Sequence, residues 1–104
     1  MAEKNFKTIS KDDFLDLLDK PGTVAIDIRT PEEIKAGKIT SDALEIDYHK
    51  KNFQEELEKL DGSKTYAVYC RTGVRSSHTI MLMKKFGFES AFDLDGGISG
   101  WGKF

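Results

Sequence analysis

The stretch Tyr66-Ala67-Val68-Tyr69-Cys70-Arg71-Thr72-Gly73-Val74-Arg75-Ser76-Ser77 decides how this chain is read. Its first residues form a short apolar strand that runs into the only cysteine of the sequence. A tight loop follows, and then a helix begins. In open α/β folds such a junction lies at the carboxyl edge of the sheet, where ligands bind. The loop places one nucleophile, one glycine and two arginines within six residues. That pattern reads as an anion-binding cradle with a reactive thiolate at its base.

The flanking segments supply the sheet. Thr8-Ile9 reads as an opening strand, and Ser10 caps a helix with Asp13 in capping-box position. Phe14, Leu17 and Leu18 give that helix an apolar stripe, which Pro21-Gly22 ends. Thr23-Val24-Ala25-Ile26-Asp27-Ile28 reads as a buried central strand. Thr30-Pro31-Glu32-Glu33 is a helix start, with Thr30 as cap, Pro31 at the first position and Glu33 closing the box.

Gly37 ends that helix, and Ala43-Leu44-Glu45-Ile46-Asp47 is expected to form a further strand. Asn52 is expected to cap a helix carrying Phe53, Leu57 and Leu60. After the loop, Ile80, Met81, Leu82, Met83 and Phe86 make the next helix apolar on more than one face, predicting thorough burial. A last strand lies within residues 88–94, before a short helix bearing Trp101. Strands alternating with helices predict an α/β fold, with helices on both faces of a parallel sheet.

Bulk properties narrow the function. A length of 104 residues is one domain with a single core. The formal charge of −2 offers no attraction to nucleic acid or to an anionic membrane. Apolar runs fall well short of the ~20 residues that span a bilayer. The start lacks the apolar core of a signal peptide, so the expected location is cytoplasmic. One cysteine and two separated histidines argue against a metal site, and the single thiol excludes an internal disulfide. Any second thiol in the chemistry must come from another molecule.

The loop residues favour a thiolate in several ways. Successive N–H groups from Arg71, Thr72, Gly73, Val74, Arg75 and Ser76 can converge on an anion, aided by the start of the following helix. Arg71 and Arg75 add positive charge, Gly73 allows a positive φ, and Ser76 can cap the helix or bond an anion. A lone cysteine at a strand end is in most proteins an inert core residue. Two arginines and a glycine so close to Cys70 have no packing role, which favours the functional reading.

Four segments together resemble a single-domain rhodanese, a sulfurtransferase. They are Asp27-Ile28-Arg29-Thr30-Pro31-Glu32-Glu33, Gly37-Lys38-Ile39, Cys70-Arg71-Thr72-Gly73-Val74-Arg75-Ser76 and Leu94-Asp95-Gly96-Gly97-Ile98-Ser99-Gly100-Trp101. The resemblance covers residues 9–101 and implies a rhodanese-like three-layer fold with a five-stranded parallel sheet. It implies that Cys70 takes sulfur from a donor such as thiosulfate as a persulfide and yields it to cyanide or a cellular thiol.

No cofactor or metal is expected, and a domain of this kind is expected to be a monomer. Related phosphatases use a Cys-x5-Arg loop, whereas Arg75 stands five positions after Cys70, a shorter loop that suits sulfur. The second reading is a sulfur carrier or partner-binding module that uses little thiosulfate.

Other residues take structural roles in this reading. Asp27 and Arg29 form an ion pair tying strand to helix, with Glu33 as a possible third member. His78 is a surface residue, and Trp101 packs the last helix. Gly96-Gly97 can border the site, and Tyr48, His49, Lys50 and Lys51 belong to a rim or a solvated turn. Lys38 stands where the family usually has histidine, which alters the shape and charge of the nearby rim.

Overall fold

The computed structural model describes residues 5–101. Five parallel strands alternate with helices: β1 (Asn5–Ile9), α1 (Lys11–Leu18), β2 (Thr23–Asp27), α2 (Pro31–Ile34), β3 (Leu44–Glu45), α3 (Phe53–Glu58), β4 (Thr65–Tyr69), α4 (Val74–Lys85) and β5 (Ser90–Leu94). A 3-10 turn at Ile98–Gly100 follows. The strand order is β1-β5-β4-β2-β3, so β4 lies at the centre and the sheet is parallel throughout.

Side-chain alternation along β4 divides the core into two layers. Tyr66, Val68 and Cys70 join Phe53, Leu57, Ile80, Met83 and Phe88 on one face. Ala67 and Tyr69 join Phe14, Leu17, Leu94 and Ile98 on the other. Burying each large apolar side chain contributes about 1.5–3 kcal/mol. The same period of two that buries Tyr66 and Val68 directs Cys70 toward the face covered by α4.

The helix starts follow local chemistry. The Ser10 hydroxyl accepts from the Asp13 amide at 3.2 Å. At α2, Thr30 Oγ1 accepts from the Glu33 amide, and Glu33 Oε1 accepts from the Thr30 amide at 3.1 Å. Asn52 departs from expectation. It sits at the cap position of α3, but its φ of −93° and ψ of 14° prevent side-chain capping, and its amide bonds Glu56 instead.

Three further expectations are corrected. The third strand pairs over only Leu44–Glu45, after which Ile46 and Tyr48 donate single bonds to the carbonyls of Asp27 and Ile28 as β2 itself ends. β1 is longer than expected, because β5 offers partners along all five of its residues. Met81 is exposed: only the side of α4 bearing Ser76, Thr79, Ile80 and Met83 is buried, since this outer layer keeps a solvent face.

Among the described residues, no helix is long and apolar enough to cross a membrane.

Candidate active site

Cys70 lies immediately after β4 and is fully buried. Its Sγ receives the amide of Gly73 at 3.1 Å and the amide of Ser76 at 3.4 Å. Ser76 is the third residue of α4, so its N–H is one of the helix-start donors without an intrahelical partner. Gly73 precedes the helix at φ 100°, the left-handed conformation that turns its amide back onto the sulfur. Two convergent amides and a helix start thus direct positive partial charge at Sγ.

The loop is fixed from behind by the end of the chain. Ile98 donates its amide to the Cys70 carbonyl and Ser99 donates to that of Arg71, both at 2.9 Å. Gly97 makes this approach possible. A Cβ there would stand 2.5 Å from the Arg71 carbonyl carbon. The glycine pair therefore backs the loop at close range.

The two loop arginines separate. Arg71 is exposed, and its guanidinium makes no hydrogen bond or ion pair among the described residues. Arg75 is partly buried and turns to Glu33: its NH1 reaches Oε1 at 3.3 Å and its NH2 reaches Oε2 at 3.3 Å. NH1 also lies 3.3 Å from His49 Nε2. A guanidinium can only donate, so His49 must accept through that nitrogen.

Burial pushes the Glu33 carboxyl up, but bonds from the Thr30 amide and the Arg75 guanidinium outweigh it and hold the group below its ordinary range. Arg75 thus ties the start of α4 to α2. Thr72 and Val74 are exposed on the rim.

Asp27 and Arg29 form the ion pair expected from the sequence. Arg29 NH2 lies 2.7 Å from Asp27 Oδ2, with both side chains almost fully buried. The same guanidinium donates to the carbonyls of Glu33 and Gly37. The Glu33 link therefore runs through its backbone, while its carboxylate serves Arg75. Lys38 contributes local order: its ammonium reaches the Ser41 and Ala43 carbonyls and Glu45. These three acceptors match its three donors.

Trp101 packs edge-on against Phe14 at 6.3 Å, away from the sulfur. His78 is exposed, with Nδ1 2.7 Å from the Tyr48 hydroxyl.

Sequence reasoning missed a polar chain beneath the sulfur. Ser76 Oγ lies 3.5 Å from Sγ and donates to Asp93 Oδ2 at 2.9 Å. Asp93 Oδ1 accepts from the Thr8 hydroxyl at 2.6 Å. No local pattern marks Asp93, which reads in sequence as one polar residue of the last strand.

The Rhodanese-like domain family model matches residues 10–104. The chain is 39% identical over 97 residues to the probable adenylyltransferase/sulfurtransferase MoeZ of Mycobacterium tuberculosis, matching 92% of this chain. It spans about a quarter of that longer relative, 24% of its length. Thiosulfate sulfurtransferase GlpE of Pseudoalteromonas translucida is 32% identical, with 92% of this chain and 89% of that protein covered.

A rhodanese-like domain protein from Staphylococcus aureus, known from its crystal structure, superposes with a TM-score of 0.78 at 28% identity. That match covers 93% of this chain and 92% of the other. With the family model matching nearly the whole length and Cys70 seated in a loop at the carboxyl edge of a five-stranded parallel sheet, this chain belongs to the rhodanese-like domain family, whose relatives include named sulfurtransferases.

Proposed function

We propose that this protein moves a sulfane sulfur from thiosulfate or a persulfide donor to a thiophilic acceptor through a persulfide on Cys70. One observation carries the reading. The Sγ of the only cysteine sits at the base of a loop, facing the amides of Gly73 and Ser76. The Cys70 thiolate attacks the outer sulfur of thiosulfate. The bond to the sulfonate sulfur breaks, and its electron pair leaves with sulfite. The new persulfide anion stays within reach of the loop donors.

Cyanide or a thiolate then takes the outer sulfur, and the electron pair of the Sγ–S bond returns to Sγ. Such a ping-pong cycle needs one protein thiol. Arg71, exposed and without a partner among the described residues, draws the anionic donor toward the loop. Arg75 acts mainly by ordering the loop through Glu33. A cytoplasmic, reducing compartment would keep the thiol available.

Intact-protein mass spectrometry after incubation with thiosulfate tests this reading, with Cys70→Ser protein alongside. The expected result is a gain of one sulfur atom that is absent in the variant and removed by cyanide. A gain that survives in the variant would overturn the mechanism.

The match to one part of the longer MoeZ protein favours a second reading, in which another protein's persulfide loads Cys70. Poor saturation by thiosulfate with fast transfer from a protein persulfide would select that reading.

A further inference from the structure

We propose that Asp93 holds the proton of the reactive site, exchanging it with Cys70 through the Ser76 hydroxyl so that the two groups share one negative charge. The inference rests on Cys70 as the reacting group. Its basis is a continuous line of contacts: Sγ to Ser76 Oγ at 3.5 Å, Ser76 Oγ to Asp93 Oδ2 at 2.9 Å, and Thr8 Oγ1 to Asp93 Oδ1 at 2.6 Å. Cys70, Ser76 and Asp93 are all fully buried.

The surroundings of Asp93 favour its neutral form. β1 offers it the Thr8 hydroxyl, α4 the Ser76 hydroxyl, and the turn after β5 the carboxylate of Asp95. No Lys, Arg or His side chain bonds or pairs with it among the described residues. Burial raises its proton affinity more than the bonds from Thr8 and Ser76 lower it, and Asp95 adds to the rise. A buried carboxylate without a cation is costly, and a second buried anion at Sγ would make it more so.

The exchange balances within three residues. The Cys70 S–H proton passes to Ser76 Oγ while the Ser76 proton passes to Asp93 Oδ2. Serine is unchanged, a thiolate replaces the thiol, and a neutral carboxyl replaces the carboxylate. The thiolate then receives the Ser76 hydroxyl as well as the Gly73 and Ser76 amides. Because Asp93 is neutral in that state, an anionic donor meets one negative charge at the site instead of two. Asp93 acts through Ser76 and is a positioning residue.

The test titrates the ultraviolet absorbance of the thiolate in unloaded protein, taken as the difference from Cys70→Ser protein. A coupled pair titrates in two macroscopic steps, so the wild-type absorbance is expected to rise in two steps. Asp93→Asn should give a single step, about one pH unit or more below the upper wild-type step, because the neighbouring anion is gone. A single wild-type step that Asp93→Asn leaves in place would overturn the inference.

Thr8→Val supplies an independent variant if Asp93→Asn fails to fold. Loss of the Thr8 donor disfavours the carboxylate, so a larger share of the absorbance should appear in the lower step. An unchanged share would also overturn the inference. No sulfur donor is present in these titrations. Failure to load sulfur therefore leaves them readable, and a single-step titration leaves the persulfide reading standing.

Discussion

Replacing Gly97 by alanine tests how firmly residues 97–99 hold the Cys70 loop. The added methyl would stand 2.5 Å from both the carbonyl carbon and oxygen of Arg71 and 2.7 Å from the carbonyl oxygen of Cys70. All three are backbone atoms and cannot swing aside. Gly97 also has φ 62° and ψ −165°, a conformation almost confined to glycine, and placing another residue there costs about 1–3 kcal/mol.

Relieving the collision means parting the two segments, a packing cost of about 1–3 kcal/mol. The amide bonds from Ile98 and Ser99 into the loop would also weaken, each worth about 0.5–1.5 kcal/mol. Together these give a loss of roughly 3–9 kcal/mol, the upper end applying if both bonds are lost in full.

Gly87→Ala is the control, because Gly87 has φ 90° but nothing within 4 Å of the added methyl. Its cost is the left-handed penalty of about 1–2 kcal/mol. A stiffer unfolded chain offsets about 0.4–1 kcal/mol in both variants, so this gain cancels in the comparison. Urea unfolding followed by circular dichroism should therefore place Gly97→Ala at least ~1 kcal/mol below Gly87→Ala. Sulfur transfer should fall sharply in Gly97→Ala and persist in Gly87→Ala. Equal losses of stability and equal transfer in the two variants would refute the reasoning.

Two further outcomes are expected. Asp27→Asn leaves the buried Arg29 guanidinium facing a neutral amide and should cost about 3–5 kcal/mol in urea unfolding. A cost under ~1 kcal/mol would mean that the Glu33 and Gly37 carbonyls suffice as partners. Glu33 has its folded-state value held below the unfolded one, so its contribution is present above about pH 4.3 and is lost as pH falls through the folded value. The stability gap between wild type and Glu33→Gln should therefore be wide at neutral pH and shrink in acid. A gap that does not change with pH would contradict the Arg75–Glu33 assignment.

Much of the architecture was legible because its causes are local. The capping box at Thr30 and Glu33 needs only four consecutive residues and is present as expected. The alternation that buries Tyr66 and Val68 also carries Cys70 to the α4 face. Errors arose where a segment's setting overrode its pattern. Met81 looked buried because α4 is rich in apolar residues, yet an outer-layer helix keeps one side in water. The third strand shrank to two residues as β2, its partner, came to an end.

By itself, the sequence determined the order of strands and helices, the single cysteine, the close-set glycine and arginines beside it, and the family resemblance. Each of these lies in short-range pattern or in composition. Tertiary structure alone decided which groups meet. It brought Thr8 to Asp93 across 85 positions and Arg75 to Glu33 across 42, and it set Gly97 against the Cys70 and Arg71 backbone. It also left Arg71 outward and engaged Arg75. The physical reason is that hydrogen bonds and steric contacts act over a few ångströms, so only the folded sheet brings residues distant in sequence within their range.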